Sequence, residues 1–276
     1  MWFIMNLTMR CIFCKQNSST SITIEHIVPE SLGNKDHILP AGIVCDSCNR
    51  YFGLKIEKPL LDSDYFRQAR FRNTIQNKEG RIPTIQGILL PGFVPIEMCK
   101  DKEGLSILPS RENDLDVYIK SLRSSSQGRL IFPVAIEPNH HLMSRFLSKV
   151  ALEVFAFQML EVEGAIDEII DKRELDELRK YARFGGSPAY WPLSIRPIYS
   201  EGEVFIEEIE NYEVLHEFDI LYTKSNELYI VLAVFGIEYV LNMGEREIEG
   251  YKDWLTQHGF KSPLYVDHRS EYKQNM

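Results

Sequence analysis

The alternation of apolar and polar side chains divides the chain into stretches of different texture. Ile22-Thr23-Ile24-Glu25-His26-Ile27-Val28 is β-branched and roughly alternating, which predicts a strand. Pro29 ends it, because proline cannot donate to a ladder. Gly33-Asn34 and Pro40 mark turns, and Ile43-Val44 predicts a short second strand. Asp46 stands where a helix cap belongs, with the helix running through Asn49 and Phe52 towards Glu57 and closed by Pro59. A further helix is expected over 64–76. From Arg81 onward, 82–94 reads as short strands, 101–129 as mostly polar with a loop at 124–128, and 130–136 as a strand that Pro133 confines to an edge.

Asn139 predicts the cap of the clearest helix, in which Leu142, Phe146, Val150, Val154 and Phe157 recur at helical spacing. Such a stripe predicts a central core helix. Residues 166–181 predict a second, more charged helix ended by Gly185-Gly186. After a connection rich in proline and aromatics (Pro188, Trp191, Pro192, Pro197), Phe218, Ile220 and Tyr222 alternate, Ser225-Asn226 turns the chain, and Leu228, Ile230, Leu232 and Val234 alternate back. With a third strand over 237–241 this is an antiparallel meander, followed by a short helix over 246–258 and a polar tail from Asp267. The elements together predict an α+β chain: a small N-terminal domain over 1–80 and a larger α+β domain over 81–276.

Composition changes this picture little, with 44% hydrophobic and 26% charged residues over 276 positions. No apolar run approaches the roughly 20 residues of a membrane-spanning helix, so no membrane partner is expected. Met1-Trp2-Phe3-Ile4-Met5 is too short for a signal peptide and is expected to be a strand or a core edge. Charge matters more. The net charge is -9, yet residues 1–81 hold 11 Lys+Arg against 8 Asp+Glu, while 82–276 hold 20 against 32. The basic end is the one expected to face nucleic acid.

Four of the five cysteines form two matched pairs, Cys11-x-x-Cys14 and Cys45-x-x-Cys48. Two intervening residues let both sulfurs of a pair reach one tetrahedral ion, so the pairs predict a structural zinc (Zn²⁺) site that clamps the ends of the segment between them. The same usage favours a reducing, cytoplasmic setting over a disulfide framework. Cys99 is expected to be a buried free thiol.

Between and beside the pairs stand Glu25-His26-Ile27-Val28-Pro29-Glu30-Ser31-Leu32-Gly33 and Cys45-Asp46-Ser47-Cys48-Asn49. In this order the motifs resemble the zinc-stabilised HNH endonucleases, whose active site is a ββα-metal (His-Me) finger; the resemblance covers residues 11 to about 57. It implies that His26 is the general base that takes a proton from the water attacking a phosphodiester. It further implies that Glu25, where the family has Asp or His, and Asn49 ligate one catalytic divalent ion, Mg²⁺ or Mn²⁺, an oxygen-rich pair suited to a hard cation. Consecutive strand residues point to opposite faces, so the strand is expected to end or bend at Glu25-His26. Two features depart from the family pattern. Its middle Asn has no plain counterpart, with Asn34 and His37 as candidates, and Phe52-Gly53 stands where a Lys is common.

Arg50, Arg67, Arg70 and Arg72 are candidates for contact with backbone phosphates; the bland reading of the last three is a solvated helix face. His140-His141 open the long helix and His216 has no partner pattern. The expectation is therefore a metal-dependent endonuclease acting on nucleic acid, preferentially DNA. The region 81–276 would serve substrate selection, a regulatory partner or ligand, or homodimerisation, as in prokaryotic anti-phage or restriction systems. The competing expectation is a non-catalytic zinc finger that binds nucleic acid or protein. Glu25, His26 and Asn49 discriminate, because a purely structural finger needs none of them.

Overall fold

The computed structural model describes residues 9–77, 79–101, 103–124, 128–186, 190–207 and 210–265. The apolar stretch at residues 1–5, most of the loop at 124–128, Pro188 and the tail from Asp267 lie outside them.

The chain begins with β1 (Glu25–His26), β2 (Ile38–Leu39) and α1 (Asp46–Phe52). Helix α1 runs directly into a π-helical stretch (Gly53–Glu57) and a further turn, α2 (Lys58–Leu61). Next come α3 (Asp64–Arg72), β3 (Ile85–Leu90), β4 (Val94–Lys100), β5 (Leu105–Pro109), α4 (Leu115–Ser124) and β6 (Arg129–Ile131). The helices α5 (His140–Gln158), α6 (Ala165–Asp171) and α7 (Asp176–Phe184) follow. The chain continues through β7 (Leu193–Pro197), β8 (Val204–Glu207), β9 (Glu210–Glu213), β10 (His216–Tyr222), β11 (Leu228–Val234) and β12 (Ile237–Asn242) to α8 (Glu249–Gln257). Helices and antiparallel sheets in this mixture make the chain α+β.

The contacts form two compact units, one of residues 60–138 and the other, discontinuous, of residues 1–59 with 139–276. They therefore divide the chain at Pro59 and Pro138, not at residue 80. The reason is α5, which packs on the C-terminal sheet and also against β2 and the π-helical stretch. The N-terminal finger thus shares one unit with the C-terminal region.

In the discontinuous unit the sheet order is β10-β11-β12-β7, antiparallel throughout. Strand β11 reads as an almost continuous apolar run because both its faces are covered. Tyr229 and Val231 meet Tyr251, Trp254 and Leu255 of α8, while α5 packs against β10, β11 and β12. The Asn139 cap forms as expected, its Oδ1 accepting from the Leu142 amide at 2.9 Å. The expected helix over 166–181 is instead two helices separated at Lys172. The buried Arg179 satisfies the break, donating to the carbonyl oxygens of Lys172, Ile169 and, in the finger, Ile12.

The other unit is an antiparallel sheet of order β5-β4-β3-β6, with Leu89, Val94 and Ile96 packed against Ile107, Tyr118 and Phe132. Strand β6 lies at an edge, as Pro133 implied. Strand β5 and helix α4 arise in the stretch read as mostly polar, and Leu115, Ile119 and Leu122 of α4 are exposed.

Candidate functional site

The four cysteines converge, with Cys14 Sγ and Cys45 Sγ 3.7 Å apart and all four sulfurs within 4.8 Å of one another. Tetrahedral sulfurs about 2.3 Å from a zinc ion stand roughly 3.8 Å apart, so the spacing fits the group. Among the described residues this is the one set of three or more Cys, His, Asp or Glu side chains close enough to share an ion. It forms a centre able to hold a structural metal such as zinc. The knuckles are built by local bonds. Cys45 caps α1 by accepting from the Cys48 amide, and the Cys45 amide donates to Cys11 Sγ at 3.3 Å. Asp46, expected as the cap, instead binds the amides of Ile22 and Thr23 and the Thr23 hydroxyl, which holds its carboxyl below the usual range. The Cys48 side chain draws the Cys11 thiol down to about 5, and the same contact pushes Cys48 up. Arg183 of α7 donates to Cys48 Sγ at 3.6 Å. Four thiolates around a dication carry net negative charge, and this guanidinium offsets part of it.

Strand β1 pairs antiparallel with β2, Glu25 opposite Leu39 and His26 opposite Ile38. The expected second strand at Ile43-Val44 instead lies buried beside the second knuckle, where Ile43 bonds Ile12. Both β1 residues keep strand alternation, so Glu25 turns inward and is buried while the His26 imidazole is half-buried on the other face. Among the described residues no side chain hydrogen-bonds that imidazole. Asn34, one of two candidates for the orienting Asn, holds the loop between the strands. Fully buried, it donates to the carbonyl oxygens of Val28 (2.7 Å) and His37 (3.0 Å) and accepts from the amides of Asp36 and His37. The His37 carbonyl also takes the Ile27 amide, so the residue after His26 is tied to the same hub. Asn49, on α1, donates its amide to the Ile24 carbonyl at 3.0 Å, which leaves Oδ1 as its ligand atom.

Glu25, the other expected ligand, is engaged in an ion cluster. Its carboxylate lies 2.6 Å from Lys149 Nζ, and Lys149 also meets Glu57 at 2.6 Å and Glu153 at 3.0 Å. Lys149 and Glu153 are wholly buried. Burial opposes the ammonium, but the three carboxylates outweigh it and keep Lys149 protonated. Burial pushes the Glu25 carboxyl up against the pull of Lys149, and pushes Glu153 up further. One ammonium stands among three acidic groups, and burial pushes Glu153 towards its protonated form. None of these partners was singled out from the sequence. The signal was present: Arg145, Lys149 and Glu153 recur every four residues in an otherwise apolar helix.

Arg50 is exposed on α1. On α3, in the other unit, Arg72 is exposed, Arg67 is engaged with the Asp62 carbonyl, and Arg70 is buried, which lowers its pKa. His216 does have a partner, since its Nε2 faces His37 Nδ1 at 3.4 Å beside Phe157 and Phe218. The two histidines are 179 positions apart, beyond any local pattern. No described helix is long and apolar enough to cross a membrane.

No curated protein and no solved structure matches this chain. Residues 11–64, the stretch from the first knuckle through β1, β2 and α1, match the family model for HNH endonuclease. By that match the N-terminal segment is similar to the HNH endonucleases.

Proposed function

We propose that the chain is a metal-dependent endonuclease that hydrolyses phosphodiester bonds in DNA. The observation that carries this reading is the family match over residues 11–64, joined to a finger that presents His26 on its outer face and Asn49 beside the same strand. His26 acts as general base on the attacking water, its imidazole unengaged by other side chains among the described residues. Asn49 offers an amide oxygen to a hard cation, and Mg²⁺ or Mn²⁺ held there would neutralise charge on the phosphate. Zinc in the four-cysteine centre is structural. Arg50 and Arg72, both exposed, supply phosphate contacts, with Arg67 and Arg70 contributing less. The chain works in the cytoplasm as part of prokaryotic defence or restriction, with the remaining region serving a regulatory partner or ligand, or a homodimer that cuts both strands.

The second reading is a non-catalytic zinc finger, and the specific observation behind it is the burial of Glu25 against Lys149, which removes the expected first ligand from the open face. Plasmid nicking by the purified, zinc-loaded protein with Mg²⁺ or Mn²⁺ separates the two. Nicking that vanishes in His26→Ala and in EDTA supports the nuclease; no nicking by a protein that still retards DNA in a gel supports the binding module.

A further inference from the structure

We infer that Lys149 is a positioning residue for the nuclease centre: from α5 it grips Glu25 and Glu57 and so fixes the strand that carries His26 against the helix that carries Asn49. The inference rests on reading residues 11–64 as a working nuclease. Three observations lead to it.

First, β1 and β2 are two residues each, so their ladder offers few bonds to hold His26 in place. Alternation makes Glu25 the natural handle. Its side chain points to the back of the strand, and pinning it there sets the direction of its neighbour on the front.

Second, one ammonium reaches both halves of the finger. Nζ is 2.6 Å from Glu25 on β1 and 2.6 Å from Glu57, the last residue of the π-helical stretch that continues α1. Asn49 lies on that α1, and its own amide bonds Ile24 on the strand side. The strand and the helix are therefore joined twice, at the surface by Asn49 and behind by Lys149.

Third, apolar side chains in place of the whole cluster, Lys149 with its three acidic partners, would pack α5 at least as well. Burying an ammonium with three carboxylates is a poor route to stability, since matched hydrophobic replacements of such clusters are often neutral or better. Placement accounts for a cluster that stability does not. Arg145, one turn earlier on the same face, donates to Tyr51 Oη on α1, so α5 holds the finger at a second point.

The test uses the full-length, zinc-loaded protein and reads two quantities for Lys149→Met: steady-state cleavage of a DNA duplex with Mn²⁺, and the imidazole NMR signals of His26, assigned by their loss in His26→Ala. Expected are a kcat lower by roughly 10- to 100-fold, a KM for DNA within about twofold, and shifted His26 signals, with zinc content and a cooperative melt retained. A kcat within about twofold of wild type together with unmoved His26 signals would overturn the proposal. Should Lys149→Met fail to fold, Glu25→Gln, which keeps the shape and loses the charge, is held to the same two readouts. If the wild-type protein cuts no nucleic acid, the nuclease reading fails by itself. The His26 signals then decide the positioning role alone.

Discussion

Lys149 and Glu153 stand one turn apart on α5, both wholly buried, with 3.0 Å between Nζ and Oε2. The pair differs in what each member must carry. Lys149 is charged and its loss leaves Glu25 and Glu57 without a cation, whereas burial pushes the Glu153 carboxyl towards its protonated form. Lys149→Met is expected to cost about 3–5 kcal/mol. Glu153→Gln imitates the protonated acid and is expected to change stability at pH 4 by less than about 1 kcal/mol. Urea unfolding of both variants checks the contrast; equal losses would remove the assignment of the proton to Glu153.

The same proton has a pH signature. The folded-state pKa of Glu153 is raised, so its contribution is fully present below the unfolded value and is lost as pH rises through the folded one. Wild type is expected to lose stability relative to Glu153→Gln as pH climbs above about 4.5. Unfolding midpoints of the two proteins across pH 4 to 9 provide the comparison, and parallel curves would contradict it.

Arg183 is expected to support the metal centre through charge. Replacing it with Leu should weaken zinc binding by roughly 10- to 100-fold, the scale for partners of metal ligands. Competition against a chromophoric chelator measures this. Complete zinc removal is expected to unfold the finger, because ion binding and folding of such knuckles are one equilibrium.

The local chemistry of the site was legible in the sequence, and its long-range partners were not. Paired cysteines, Glu25-His26 and Cys48-Asn49 are patterns over a few residues, and so are the Asn139 cap and the alternation of β10 and β11. Two-residue strands carry no periodicity, so β2 fell at Ile38–Leu39 while the more β-branched Ile43-Val44 went to the knuckle. Strand alternation led to the expectation that the chain would end or bend at Glu25-His26, whereas both residues keep the alternation and lie on opposite faces. It could not say that Lys149, far along the chain, would take the inner one. The apolar stripe of α5 was plain, but its buried polar stripe had no visible counterpart until the finger was set against it. The same contact explains why the unit boundary lies at Pro59 and Pro138.

Asn34 is expected to be worth more than a loop residue. Alanine there strands the Val28 carbonyl oxygen and the Asp36 and His37 amides, and each buried orphan costs about 1–3 kcal/mol. Asn34→Ala should lose about 2–4 kcal/mol in urea unfolding. Asn34→Asp, which keeps the acceptor and loses both donors, should come close to it.

His216 gives an acid-side test. Burial, with His37 opposite, depresses its pKa to about 4. A depressed folded-state value means full stability above the unfolded pKa, near 6.5, and a progressive loss as pH falls towards 4. The loss should reach about 2–3 kcal/mol. His216→Asn should flatten the wild-type curve over that window, and an unchanged slope would refute the assignment.

The discontinuity of the larger unit orders events during synthesis. A growing chain emerges from its N-terminus, so the cysteine knuckles are available to zinc long before α5 exists. Glu25 and Glu57 meanwhile face solvent as ordinary carboxylates, and all of residues 60–138 must be made before Lys149 arrives. A ribosome-bound finger is thus metal-clamped but unbraced. A chain broken off anywhere before the long helix stays in that state, so the brace marks a polypeptide made at least as far as Lys149.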